Sequence, residues 1–96
     1  MNIEITSRHF SLSEELKTLV SEKVSKVNMY NVELTRCHVI LSKENGAEAS
    51  VEIVAHSKGH EFVAHDNSNK FEQSLANSVN KLSIQLKKQH DKIVGH

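Results

Sequence analysis

The sequence predicts an α+β domain of order β-α-β-β-β-α, a four-stranded sheet with two helices packed on one face. Three observations lead there. Two long stretches carry apolar residues at helical spacing, four short ones alternate with period two, and only one face of the alternating stretches is consistently apolar. The 96 residues suit a single domain spanning 1–96. An apolar content of 38% allows one thin core, a layer of helices on a layer of sheet, with little room for a buried cofactor.

Asn2 to Thr6 alternates through Ile3 and Ile5 and reads as the first strand. Ser11-Leu12-Ser13-Glu14 has capping-box spacing, with Ser11 on the first-turn backbone and Glu14 reaching back. Leu12, Leu16, Leu19, Val20, Val24 and Val27 then recur at helical spacing, so the first helix is expected from Leu12 to Met29. Cys37, Val39 and Leu41 alternate with Arg36, His38 and Ser42, and Ala49, Val51, Ile53 and Ala55 with Glu52, Val54 and His56. Glu44-Asn45-Gly46 suits the turn between these runs. Lys58-Gly59 suits a two-residue hairpin that sets Ser57 opposite His60 and puts Phe62 and Ala64 on the face of Val51 and Ile53. Asp66-Asn67-Ser68-Asn69 follows, and Asn69 with Glu72 has capping spacing. The stripe of Phe71, Leu75, Val79, Leu82, Leu86 and Ile93 gives a second helix over Asn69 to Ile93.

Twelve Lys plus Arg balance twelve Asp plus Glu, so any electrostatic targeting depends on where the charges sit. On the second helix Lys70, Lys81, Lys88 and Lys92 fall within a band roughly 40° wide beside the apolar stripe, with Ser74 and Asn77 between them. Neither acid of that helix, Glu72 or Asp91, enters the band, and Lys87 lies further round. A solvated helix face ordinarily mixes signs for i,i+4 pairing. On the first helix Lys23 falls between Leu19 and Val27 in the apolar stripe, and Lys26 lies beside it. A buried stem with its amine lifted to water explains Lys23 structurally. A basic face shared by both helices explains it functionally, because segregated lysines on a neutral molecule are what a phosphate-backbone binder uses.

Other chemistries find less support. Seven histidines invite a metal site, but the hairpin register turns His60 away from His56 and His65, and a metal needs three or four ligands converging at about 2 Å. No phosphate loop, nucleophile elbow or zinc-protease motif is present, and Cys37 falls on the buried sheet face, so no enzyme and no cofactor are expected. A lone cysteine, no apolar run suited to a signal peptide and no span of about 20 apolar residues favour a cytoplasmic protein without membrane contact. The competing binding class is a protein adaptor whose exposed sheet face (Arg36, His38, Glu52, Val54, His56, Val63) docks another protein.

Four segments resemble the short ribosome hibernation-promoting factors, also called the ribosome-associated inhibitor family (sigma-54 modulation protein-like). They are Ile5 to Phe10 with Leu12 to Leu16, Glu22 to Val27 with Tyr30, Val39 to Leu41, and Asn80 to Leu82 with Gln85 to Lys88 and Lys92. The resemblance spans essentially the whole chain and has the same element order. It implies a stress or stationary-phase protein that binds 16S rRNA of the small ribosomal subunit near the decoding region, in the path of messenger and transfer RNA, and inhibits translation. It also implies binding to whole 70S ribosomes and pairing of ribosomes into inactive dimers with a separate ribosome modulation factor. By position the RNA-binding role falls on Lys23, Lys26, Lys81 and Lys88, then Lys87 and Lys92, with Arg8 a further candidate. Departures occur at Lys70-Phe71-Glu72, at Ile84 and at Ser7, which bear on individual contacts. The chain stops at His96 and is expected to lack the additional C-terminal domain by which long members dimerise ribosomes unaided, so direct self-pairing is not expected. The free protein is expected to be a monomer.

Overall fold

A computed structural model describes residues 1–27, 32–44 and 48–94. Met29, Tyr30 and the Asn45-Gly46 part of the expected turn lie outside the described residues, as does the side chain of Lys92. The elements are β1 (Asn2–Arg8), α1 (Glu14–Ser25), β2 (Leu34–Glu44), β3 (Glu48–Ser57), β4 (His60–Ser68) and α2 (Phe71–Val94), in the expected order. The four strands form one sheet in the order β1-β2-β3-β4. β1 runs parallel to β2 and the other neighbours are antiparallel. A parallel pair needs a crossover connection, and α1 supplies it.

Inward alternation sets the core. Cys37, Val39 and Leu41 of β2 and Val51, Ile53 and Ala55 of β3 are fully buried, and Phe62 and Ala64 of β4 join them. Val20 and Val24 of α1 and Leu75, Leu82 and Leu86 of α2 complete the same cluster, so both helices cover one face. The hairpin register is the one Lys58-Gly59 predicts. Ser57 pairs with His60 and Ile53 with Ala64, and Gly59 takes a positive φ of 83° in the turn.

Both helix starts differ from expectation. Ser13, and not Ser11, caps α1: its backbone is extended and its hydroxyl accepts from the Leu16 N–H at 3.1 Å. Leu12 reaches the core before the helix begins, which moves the cap two residues on and leaves Glu14 and Glu15 in the favourable first turn. At α2 the side-chain contacts come from Ser68 and not from Asn69 with Glu72. The Ser68 hydroxyl accepts from the Lys70 N–H at 3.2 Å and lies 2.6 Å from the Ser74 hydroxyl. α1 also stops at Ser25, short of Met29, because the Val27 N–H turns to the Val24 carbonyl in a tighter closing turn.

Candidate nucleic-acid interface

α2 lies close over β3 because two small polar residues, four apart, sit beside its leucines. Ser74 and Ser78 are fully buried, and their hydroxyls donate to the Ala49 carbonyl at 2.7 Å and the Val51 carbonyl at 3.2 Å. This seating brings one flank of α2 along the edge strand β4. There Lys81 donates to the His65 carbonyl at 2.8 Å and Gln85 to the Val63 carbonyl at 2.6 Å. These are alternate carbonyls of an edge strand, so the helix side chains occupy acceptors that another chain could otherwise pair with. Gln89 continues the row, 3.0 Å from the His60 ring.

The same flank holds an acid that the helix pattern does not reveal. Asp66 of β4 forms an ion pair with Lys81 at 3.2 Å and accepts from the Asn77 side-chain amide at 2.9 Å. The Asn77 hydrogen bond, followed by the hydrogen bond and charge of Lys81, holds the Asp66 carboxyl below its ordinary value against a smaller effect of desolvation. The band on α2 is free of acids within the helix itself, and β4 supplies one to it.

Turning about 100° per residue, Lys88 lies within about 20° of Lys81, on the β4 flank, whereas Lys70, expected in the same band, precedes the first residue of α2 and lines a groove with Leu16 and Leu19 of α1. Lys87 directly follows Leu86 as Lys81 directly precedes Leu82, so it lies on the opposite flank. On α1, Lys23 precedes Val24 and Lys26 precedes Val27, both on the flank of Leu19. Leu16 and Leu19 line a groove with Asn69 to Glu72, so that flank faces α2. The structure therefore brings Lys23 and Lys26 together on the side of α2 and sets Lys81 and Lys88 on the far flank. The outer ridge of α2, with Ile84 57% exposed, runs between the two groups. One continuous basic face is the expectation from sequence; two lysine groups on one helical side are the finding. The exposed side chains of Lys23, Lys26, Lys87 and Lys88 make no hydrogen bond or ion pair among the described residues.

Arg8 stands apart. It shares the outward parity of Thr6, whose hydroxyl meets His38 at 2.7 Å on the helix-free face of the sheet. That face also carries His56 and His65. His56 lies 3.5 Å from both Arg36 and Glu61, and His65 lies 3.2 Å from the Ser50 hydroxyl. His60 is on the other face, as the register requires, and no group of three metal-ligating side chains occurs among the described residues. Burial pushes the Cys37 thiol up, with the chain's N-terminal charge a smaller opposing effect, which leaves it protonated at neutral pH.

Sequence reasoning missed Lys43. It continues the inward parity of Leu41 at the end of β2, and its ammonium lies 5.9 Å from the centre of the Phe71 ring, on which Phe10 also stacks at 4.8 Å. A positive φ of 70° at His9 ends β1 just before Phe10. Strand parity was the available signal for Lys43; the partner ring was not legible, because it lies 28 positions further along the chain.

The fold and its side chains describe a small α+β protein with solvated lysines on both helices. A family model described as Sigma 54 modulation protein / S30EA ribosomal protein matches residues 3–94, and the chain belongs to that family, whose members are ribosome-associated and non-enzymatic. Two solved structures share the fold. One, a ribosomal subunit interface protein from Coxiella burnetii, is 22% identical, with a TM-score of 0.86 over 93% of this chain and 97% of that one. The other, the Thermus thermophilus Protein Y N-terminal domain, is also 22% identical, with a TM-score of 0.82 over 93% of this chain and 99% of that one. No curated protein matches the sequence. Among the described residues no helix is long and apolar enough to cross a membrane.

Proposed function

We propose that this chain is a cytoplasmic ribosome hibernation factor. It binds the small ribosomal subunit through 16S rRNA near the decoding region, in the path of messenger and transfer RNA, and inhibits translation under stress or in stationary phase. The observation that carries this reading is a set of solvated lysines on both helices, Lys23, Lys26, Lys87 and Lys88, with no acid partner among the described residues, in a chain whose family model covers 3–94. Lysines held by a neighbouring acid have spent part of their attraction, whereas free ones can replace the counterions of a phosphate backbone. Lys81 and Lys92 extend the set along α2, and Arg8, on the helix-free face, is peripheral to it. The domain is a monomer when free, binds 70S ribosomes as well as isolated small subunits, and favours inactive ribosome pairs with a separate modulation factor.

The test is co-sedimentation with purified small subunits and 70S ribosomes at low and moderate salt, beside a Lys23→Glu/Lys26→Glu/Lys88→Glu variant of verified fold. These positions leave the Asp66–Lys81 pair intact. The wild type is expected in the pellet at low salt and the variant in the supernatant. A wild type that stays in the supernatant at low salt defeats the ribosomal reading and turns the search for a partner to the sheet face.

A further inference from the structure

Lys81 differs from the other lysines in being held in place. An ammonium has three donors, and two of Lys81's are taken, by the His65 carbonyl at 2.8 Å and by Asp66 Oδ1 at 3.2 Å. The anchor is itself anchored. Asp66 Oδ2 accepts from Asn77 at 2.9 Å, and Asn77 Oδ1 accepts from Gln73 at 3.0 Å. Gln73, Asn77 and Lys81 are successive i,i+4 positions on α2, so the chain of hydrogen bonds is built on one rigid helix and closed by one strand residue. The Lys81 side chain remains 51% exposed, which leaves its third N–H open to solvent on the flank it shares with the free Lys88. An ion pair so exposed adds little to folding. Asp66 also sets a negative charge on a flank that phosphates are to approach, a cost that free lysines alone would not incur.

We propose that Asp66 is a positioning residue for RNA binding: it fixes the Lys81 ammonium so that its remaining N–H meets one backbone phosphate at a defined point, and so sets the register of the domain on the RNA. The free lysines supply attraction without register. The inference rests on the ribosomal reading above and adds a residue of the opposite charge to its binding machinery.

A double-mutant cycle tests it, with the affinity for purified small subunits measured for the wild type, Asp66→Asn, Lys81→Gln and the double variant. Asp66→Asn removes a negative charge from the RNA-facing flank, yet binding is expected to weaken about tenfold, the scale of one charge-assisted contact. In the Lys81→Gln background the same change is expected to have no further effect, since Asp66 acts through Lys81. Unchanged or tighter binding by Asp66→Asn would overturn the proposal and make the carboxylate a simple neutraliser. An equal loss in both backgrounds would overturn it too, because Asp66 would then act by another route. Should Asp66→Asn fail to fold, Asn77→Ala carries the test: it loosens Asp66 and is expected to weaken binding only when Lys81 is present. A wild type that binds no subunits at all defeats the ribosomal reading itself, a result distinct from those of the cycle.

Discussion

The two flanks of α2 carry lysines in different physical states. On the β4 flank Lys81 belongs to a hydrogen-bonded chain through Asp66, Asn77 and Gln73, and Gln85 and Gln89 extend the row of contacts to β4. On the opposite flank Lys87, like Lys23 and Lys26 of α1, makes no hydrogen bond or ion pair among the described residues. A held cation has already lost its rotamer freedom and offers direction; a free one keeps its entropy and offers long-range attraction. The same residue type thus serves two purposes on one helix, and the neighbouring strand decides which.

The largest perturbation removes the base on which both flanks stand. Leu82 is fully buried between them, and Leu82→Ala is expected to cost about 2–5 kcal/mol, read as a lowered urea midpoint with loss of both lysine groups together. Ser74→Ala acts on the seating of α2 over β3. It deprives the Ala49 carbonyl of its 2.7 Å donor, and an expected loss of about 1–3 kcal/mol in the same unfolding experiment reports how firmly α2 is seated. Gln85→Ala releases only the Val63 carbonyl at the exposed edge. Water can replace that donor, so the change is expected to cost less than about 1 kcal/mol, with faster amide exchange confined to the β4 edge.

The smallest effect is one of pH. Asp66 has a lowered carboxyl pKa in the fold, so its contribution to stability is complete above the unfolded carboxyl value of about 3.9 and is lost as pH falls through the lower folded value. The difference in thermal midpoint between wild type and Asp66→Asn is therefore expected to stay level from neutral pH to about 5 and to shrink below about 4. A difference that instead changed around pH 6 to 7 would assign the effect to a histidine.

Much of the fold is legible in the residues because local periodicity carries it. Cys37-Val39-Leu41 and Val51-Ile53-Ala55 could pack only on one face, and Lys58-Gly59 fixes the β3–β4 register by loop length alone. The helix ends were less legible. Ser11 and Ser13 both suit a cap, as do Ser68 and Asn69, and the choice falls to where Leu12 meets the core and where the Ser68 and Ser74 hydroxyls meet. Ser74 and Ser78 read as fillers of a polar band, yet both are buried against β3 carbonyls. The i,i+4 spacing of two small hydroxyl residues at the stripe's margin was the available sign of close helix–sheet contact.

The sequence by itself determined the element order, the covered face of the sheet, the identity of the lysines and, through its motifs, the resemblance to a ribosome-associated family. The tertiary structure alone decided which lysines are held and which are free. A helical wheel compares residues of one helix, whereas the Asp66–Lys81 pair joins residues 15 apart on different elements. It exists only because Ser74 and Ser78 seat α2 low enough for its flank to reach the edge of β4.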